Sequence, residues 1–339
     1  MYGSHTGRKR KVVCAVSAVA ALLALSGCFA SSDDDPDAKA PAQQPKSKAP
    51  YWVNPDGNAA KQAAEYRKDK KPDEAELIDR IAAQPVAEWI GVEDPQKQAR
   101  GFTEAAEKAD RDALLVLYNI PHRDCGQYSG GGAADGDAYR GWLAETVNGI
   151  GDRKATVILE PDALTHIVDE CTPEEFHEER YALLKEGVDK LKALPNTTVY
   201  LDAGNPSWVT DPGRMAEPLK RAGIEAADGF VLNTSNYQTT ASNTAYGKRL
   251  SKMVGGKHFV IDTSRNGKGP LAGANHEKTW CNPPGRGLGE PPTTKTADPL
   301  VDAYLWIKRP GESDGTCKGG PDAGKWWPKY ALELARNSK

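Results

Sequence analysis

The stretch Ala155-Thr-Val-Ile-Leu-Glu-Pro-Asp162 decides the fold. Five residues, apolar but for Thr156, run together and then meet two acids around a proline. An uninterrupted run this short, rich in β-branched residues, fits a strand buried on both faces, as in a parallel sheet. The same pattern recurs on either side. Leu114–Ile120 runs into Arg123-Asp124-Cys125, Thr198–Leu201 into Asp202-Ala-Gly204, and Gly229–Leu232 into Asn233-Thr-Ser-Asn236. His258–Ile261 meets Asp262, and Ala303–Ile307 meets Lys308 and then Glu312-Ser-Asp314. Helical patterns are expected between the strands: 98–111, Ala138–Ile150, Pro173–Ala193, Arg214–Gly223, Thr244–Gly255 and Lys329–Arg336. Strands alternating with helices mean an α/β barrel or a doubly wound sheet. The acids favour the barrel, where working side chains gather at the C-terminal ends of the strands. A nucleotide-binding doubly wound sheet needs a glycine-rich turn after its first strand. Gly130-Gly131-Gly132 lacks the required spacing, and Gly285, Gly287 and Gly289 follow no strand.

The ends of the chain speak of export. Arg8-Lys-Arg-Lys11 precedes an apolar run, Val12 to Leu25, of 14 residues. That is short for a bilayer span, which takes about 20. A basic segment followed by such a run is a signal sequence. It ends in Leu25-Ser-Gly-Cys28, which resembles a bacterial lipobox with Cys28 as the lipidated residue. Residues 1–27 are therefore read as a signal peptide. Residues 28–50, polar and proline-rich with Asp33-Asp-Asp35, read as a disordered tether. Residues 51–339 read as the folded domain. Removing the signal leaves 40 basic and 47 acidic residues, net −7. This charge gives nucleic acid no basic footprint. Cys125, Cys171, Cys281 and Cys317 form no CxxC pair, so zinc is not indicated. In an oxidising compartment they imply two disulfides. Three connectivities are open, and the sequential one closes the shortest loops.

Several aspartates at one barrel mouth fit either a hard-cation site or glycoside hydrolysis. Only His122 stands beside them in sequence, and no closely spaced ligand motif appears. Glycoside hydrolysis needs two carboxyls with different tasks, one protonated to release the leaving group and one to help a water. Burial beside a like charge keeps the first one protonated. A single Asp after a strand is commonly a helix cap, but that account suits a series of four or five poorly.

These motifs resemble glycoside hydrolase family 6, especially its actinobacterial endoglucanases. The likeness rests on Tyr118-Asn-Ile-Pro-His-Arg-Asp-Cys125, Ile158-Leu-Glu-Pro-Asp-Ala-Leu164, Leu201-Asp-Ala-Gly-Asn-Pro-Ser-Trp208, Asn233-Thr-Ser-Asn-Tyr237, Ile261-Asp-Thr-Ser-Arg-Asn-Gly267 and Leu305-Trp-Ile-Lys-Arg-Pro-Gly-Glu-Ser-Asp-Gly315. The resemblance implies a distorted (β/α) barrel of parallel strands with fewer than eight strands. It implies inverting hydrolysis of β-1,4-glucans without a cofactor or metal. Asp162 matches the general acid, and Asp124 the second Asp that tunes it and engages the water. Asp314 matches a candidate base or substrate-stabilising group, and Asp202 a supporting acid. Tyr118, Arg123, Asn236, Lys308 and Glu312 match substrate-contacting positions, and Trp89, Trp208 and Trp280 match sugar-stacking ones. The pairs Cys125–Cys171 and Cys281–Cys317 match the family's disulfides. Two departures stand out: Asn205 where relatives commonly have His, and Gly130 where many carry a Ser linked to the water chain. The compact domain leaves little room for a tunnel lid, which favours an open cleft and internal cuts. A monomer held at the outer membrane face is expected. The alternatives are a non-catalytic glucan-binding lipoprotein and an exo-acting cellobiohydrolase.

Overall fold

The computed structural model describes residues 50–272 and 279–338. The signal peptide, Cys28 and nearly all of the expected tether lie outside the described residues. Seven strands form one sheet in chain order, all neighbours parallel. They are β1 (Glu88–Ile90), β2 (Ala113–Leu117), β3 (Ala155–Leu159), β4 (Thr197–Asp202), β5 (Gly229–Leu232), β6 (His258–Asp262) and β7 (Val301–Leu305). The helices are α1 (Asn58–Lys68), α2 (Pro72–Ala82), α3 (Pro95–Lys108), α4 (Gly136–Ile150), the single turn α5 (Thr165–Val168), α6 (His177–Lys192), α7 (Gly213–Arg221), α8 (Thr240–Met253) and α9 (Pro328–Arg336). None of the described helices is long and apolar enough to cross a membrane.

The sheet curls into an incomplete barrel, as expected. Its two ends approach through the Ala87 N–H donating to the Trp306 carbonyl at 3.0 Å and the Trp89 indole donating to the Ile307 carbonyl at 2.9 Å. Alternation along each strand explains the unbroken apolar runs. Leu114, Val116, Ile158, Tyr200, Val231, Val260, Ala303 and Leu305 fill the barrel interior. Leu115, Leu117, Val157, Leu159, Val199, Leu201, Phe230, Leu232, Phe259 and Ile261 face the helices. With side chains on opposite faces at successive positions, both faces of the strand interiors are buried, so these runs are mostly apolar.

Some expected boundaries move. The run Leu114–Ile120 leaves the sheet after Leu117, because the Asn119 and Ile120 N–H groups bond instead to the buried Glu160 carboxylate. The run Ala303–Ile307 pairs earlier, as Val301–Leu305. The 98–111 pattern starts at Pro95, whose missing N–H suits a first helical position. The Pro173–Ala193 pattern divides into a 3-10 turn, Glu174–Phe176, and α6. α8 starts four residues earlier than expected, because Thr239 caps it by accepting the Ser242 N–H. β1, α1 and α2 were not read from sequence.

Candidate active site

Every strand-end acid lies where the barrel opens, but the acids do different work. Asp202 and Asp262 close β4 and β6, and both are buried. Asp262 accepts the backbone N–H groups of Ser235 and Ser264 at 2.9 Å each and of Lys308 at 3.0 Å. It ties three loops together and aims Lys308. Asp202 accepts the Thr234 hydroxyl at 2.7 Å and the N–H groups of Gly204 and Asp162 at 3.0 and 3.2 Å. Burial, only partly offset by these bonds, pushes its carboxyl up to about 6.

Asp162 is the hub. Its backbone adopts φ 68°, and Glu160, Asp124 and Cys125 are also left-handed, at 48°, 54° and 45°. Such conformations cost roughly 1–3 kcal/mol apiece for non-glycine residues and persist where surrounding contacts impose them. Here they swing the acids inward over the strand ends. The Tyr118 hydroxyl donates to Asp162 Oδ2 at 3.2 Å. Burial pushes Asp162 up to about 7, and the charges of Asp202 and Asp124 add to this, against the lowering effects of His166 and the Tyr118 hydrogen bond. A carboxyl that keeps its proton near neutrality is equipped for general acid catalysis. The sign is fixed: the proton is present below about 7 and lost above it. The basic limb of kcat/KM is therefore expected near pH 7, with a tenfold fall per unit beyond it, as read from initial rates across a buffer series.

Asp124 lies on the turn after β2 and accepts the Ser129 N–H at 2.6 Å. Burial raises it, opposed by that bond and by His166. A side chain at position 130 does not fit this loop, since a Cβ there would stand 2.9 Å from the Gly126 backbone. A Ser in place of Gly130 is thus incompatible with the loop's present path. Gly132 is required more strictly, with a Cβ only 2.0 Å from the Ile120 carbonyl oxygen. Asn205 is buried and caps the turn that presents Trp208, accepting the N–H groups of Ser207 and Trp208 at 3.0 and 3.2 Å.

Asp314 belongs to a second group. Arg265 Nη1 bonds both of its oxygens at 2.8 and 2.9 Å, and Lys308 Nζ lies at 3.5 Å. The Tyr237 hydroxyl and the Asn282 N–H donate at 3.1 and 3.0 Å. Burial works to raise its carboxyl, but Arg265 and Lys308 hold it below the ordinary range. It remains a fixed negative charge and is a poor proton acceptor.

The remaining candidates are held by neighbouring rings and loops. The Trp89 and Tyr118 rings meet edge to face at 5.7 Å, with the Arg123 guanidinium 4.7 Å over Tyr118. Arg123 also donates to the Ser129 carbonyl at 2.8 Å, which ties the Asp124 turn down. Trp280 pairs with the exposed Tyr128 at 5.9 Å. Glu312 accepts from Asn58 and Arg309 at 3.1 and 3.2 Å and borders a cavity of about 230 Å³ with Trp326. Asn236 is buried and accepts the Tyr237 N–H at 2.8 Å. The disulfides join Cys125 to Cys171 and Cys281 to Cys317. The first anchors the Asp124 turn, and the second adjoins Asn282 beside Asp314.

Sequence reasoning overlooked Arg265, His166, Asp169 and Tyr128. Arg265 stood inside a quoted motif without a role, and His166 one helical turn after Asp162 is the signal that was available. Asp124, Asp162 and His166 offer ligand atoms within 4.8 Å of one another. In the other such group, Cys125, His166 and Cys171, the disulfide consumes both sulfurs.

A parallel-strand half-barrel that gathers buried carboxyls of unequal acidity at its strand ends fits the class of the glycoside hydrolases. The chain belongs to the glycosyl hydrolases family 6, whose model matches residues 46–338. It is 45% identical over 267 residues to Endoglucanase A of Cellulomonas fimi, covering 78% of this chain and 56% of that one. It is 40% identical to Endoglucanase 1 of Streptomyces halstedii, covering 93% and 96%. The chain thus spans little more than half the length of the first relative and nearly all of the second. The solved endoglucanase Cel6 from Mycobacterium tuberculosis, in complex with methyl-cellobiosyl-4-deoxy-4-thio-β-D-cellobioside, superposes with TM-score 0.80 at 43% identity, over 87% of this chain and 99% of that one.

Proposed function

We propose that this chain hydrolyses β-1,4-glucosidic bonds within cellulose-type glucans, with inversion. Asp162 donates the proton to the leaving oxygen. Asp124 keeps that proton in place by its charge and engages the attacking water. Asp202 holds the Asp162 backbone, and Asp314 supplies fixed negative charge to the developing oxocarbenium ion. Tyr118, Arg123, Asn236, Lys308 and Glu312 bind sugar hydroxyls, and Trp89, Trp208 and Trp280 stack against sugar rings. The reading is carried by one observation, the placement of Asp162 with its carboxylate on the Tyr118 hydroxyl and its backbone N–H on Asp202, where burial and the charges of Asp202 and Asp124 favour its protonated form. Internal cleavage is supported by the endoglucanase relatives, against the exo-acting alternative. Residues 51–339 are read as the catalytic domain. We further propose a secreted monomer, with Cys28 as the lipid anchor on the outer membrane face. Partition between membrane and medium, with Cys28→Ser as control, tests the anchor.

The direct test follows viscosity and reducing ends together on a soluble cellulose derivative. Internal cutting collapses viscosity while few ends have formed. A linear release of short sugars with slow viscosity loss would instead establish an exo-acting enzyme. No release by a folded, disulfide-intact chain would leave the glucan-binding reading.

A further inference from the structure

His166 occupies an electrostatic position that the proposed roles do not use. The Asp162 carbonyl accepts its N–H at 2.9 Å, so one helical turn brings the ring back beneath the acid. The residue is 4% exposed, and neither ring nitrogen has a hydrogen-bond partner. Nε2 faces Asp124 Oδ1 at 3.9 Å, and Nδ1 faces Asp169 Oδ2 at 3.7 Å. A ligand-type atom of the ring and one Asp162 oxygen lie within 4.8 Å. The edge of Trp208, 5.0 Å away, covers another side, and the Trp208 indole donates to Asp169 at 2.7 Å.

A neutral imidazole has one N–H and one lone pair. Between two carboxylates, one nitrogen would have to point its lone pair at a negative oxygen. The cation offers N–H on both sides. The groups acting on it are Asp124 from the loop after β2, Asp162 and Asp169 from its own segment, and Asp202 from the end of β4. Of the nearby cations, Arg123 donates to the Ser129 carbonyl. Arg180 of α6 spends its donors on the carbonyls of Ala163, Pro121 and His122, and Arg214 of α7 donates to that of Val168. Burial alone would lower the ring's proton affinity, yet the surrounding acids raise it above the ordinary value.

We propose that His166 is a positioning residue of the reaction, an imidazolium clamped between Asp124 and Asp169 that governs how tightly Asp124 and Asp162 hold their proton. This rests on the proposed roles of those two acids. The cation restrains the acidity loss that burial and crowding of carboxyls would otherwise cause. Asp169 is the counter-charge that keeps the ring protonated.

The test compares wild type with His166→Asn, His166→Gln and Asp169→Asn. In both neutral His166 variants the basic limb of kcat/KM on a soluble cellulose derivative is expected to move up by half a pH unit or more. In Asp169→Asn it moves the same way by less. A merely structural role lowers the rate equally at all pH values and leaves the limb in place, and that result overturns the proposal. Folding of the variants is checked by thermal melts with the disulfides intact. Independently, the wild-type imidazole is titrated by nitrogen-15 NMR, with no need for activity. A doubly protonated ring at pH 7 is expected, and a neutral ring there overturns the proposal even if every variant fails to fold. If instead Asp162→Asn retains full activity, the roles of the acids fail while the NMR result stands.

Discussion

Asp162→Asn is expected to lower kcat on cellulose-type substrates by about 10²–10⁴-fold, the usual worth of a positioned general acid. The amide cannot supply the proton that the leaving sugar oxygen needs. Its carbonyl can still accept from the Tyr118 hydroxyl, now 3.2 Å from the carboxylate, so geometry is largely kept. Asp202 and Asp124 both act to raise the Asp162 carboxyl. Neutralising it therefore relieves repulsion, and the melting temperature is expected to hold or rise. The diagnostic readout is leaving-group dependence. An aryl cellobioside whose phenol leaves without protonation should lose far less rate than a natural glucan. Equal losses on both substrates would move Asp162 from proton donor to a binding role and reassign the acid. A rate within a few fold of wild type on the natural glucan would end the acid assignment altogether.

Much of this arrangement could be read before any coordinates. β2 to β7 are legible because both faces of each strand are buried, which leaves an unbroken apolar run. β1 is not, since three residues beginning with an exposed-type acid, Glu88–Ile90, look like any loop. α1 and α2 bury chiefly alanines and isoleucine, Ala59, Ala63, Ala75 and Ile78, so their apolar stripe is faint. Asp162 and Asp202 could be placed because they follow directly on strands. Their unequal tasks could not, since these depend on burial and on distances between loops. Arg265 shows the limit. Its partner Asp314 lies 49 residues away in the chain, and only the closure of the barrel brings the two together. His166 is similar, a polar residue on a short helix until the Asp124 turn and Asp169 are folded against it. Asp262 was grouped with the other strand-end acids, but it spends its oxygens on the backbone of three loops.

Asp314 separates two readings of the attacking step, and stability is the measurement that divides them. A catalytic base must be free to take a proton. Asp314 is 7% exposed and faces Arg265, which is fully buried, with Lys308 behind. Breaking a buried ion pair from one side typically costs about 3–5 kcal/mol, because the other charge is left without compensation. Asp314→Asn is therefore expected to lose about that much in chemical denaturation, since Arg265 keeps the Ser235 carbonyl, the Tyr237 ring and at best a neutral amide oxygen, but loses the carboxylate that balances its charge. Activity should fall as well, through displaced loops and lost negative charge near the sugar. Azide, a small anion able to attack in place of activated water, should not restore it. The pair Asp314→Asn with Arg265→Met should recover part of the stability, since no buried cation is then left alone, and should recover no activity. A base would behave otherwise: Asp314→Asn would fold as firmly as wild type, and azide would return a product of the same inverted configuration. That outcome would require Asp314 to hold its proton transiently against two cations, and would pass the base role from Asp124 to Asp314.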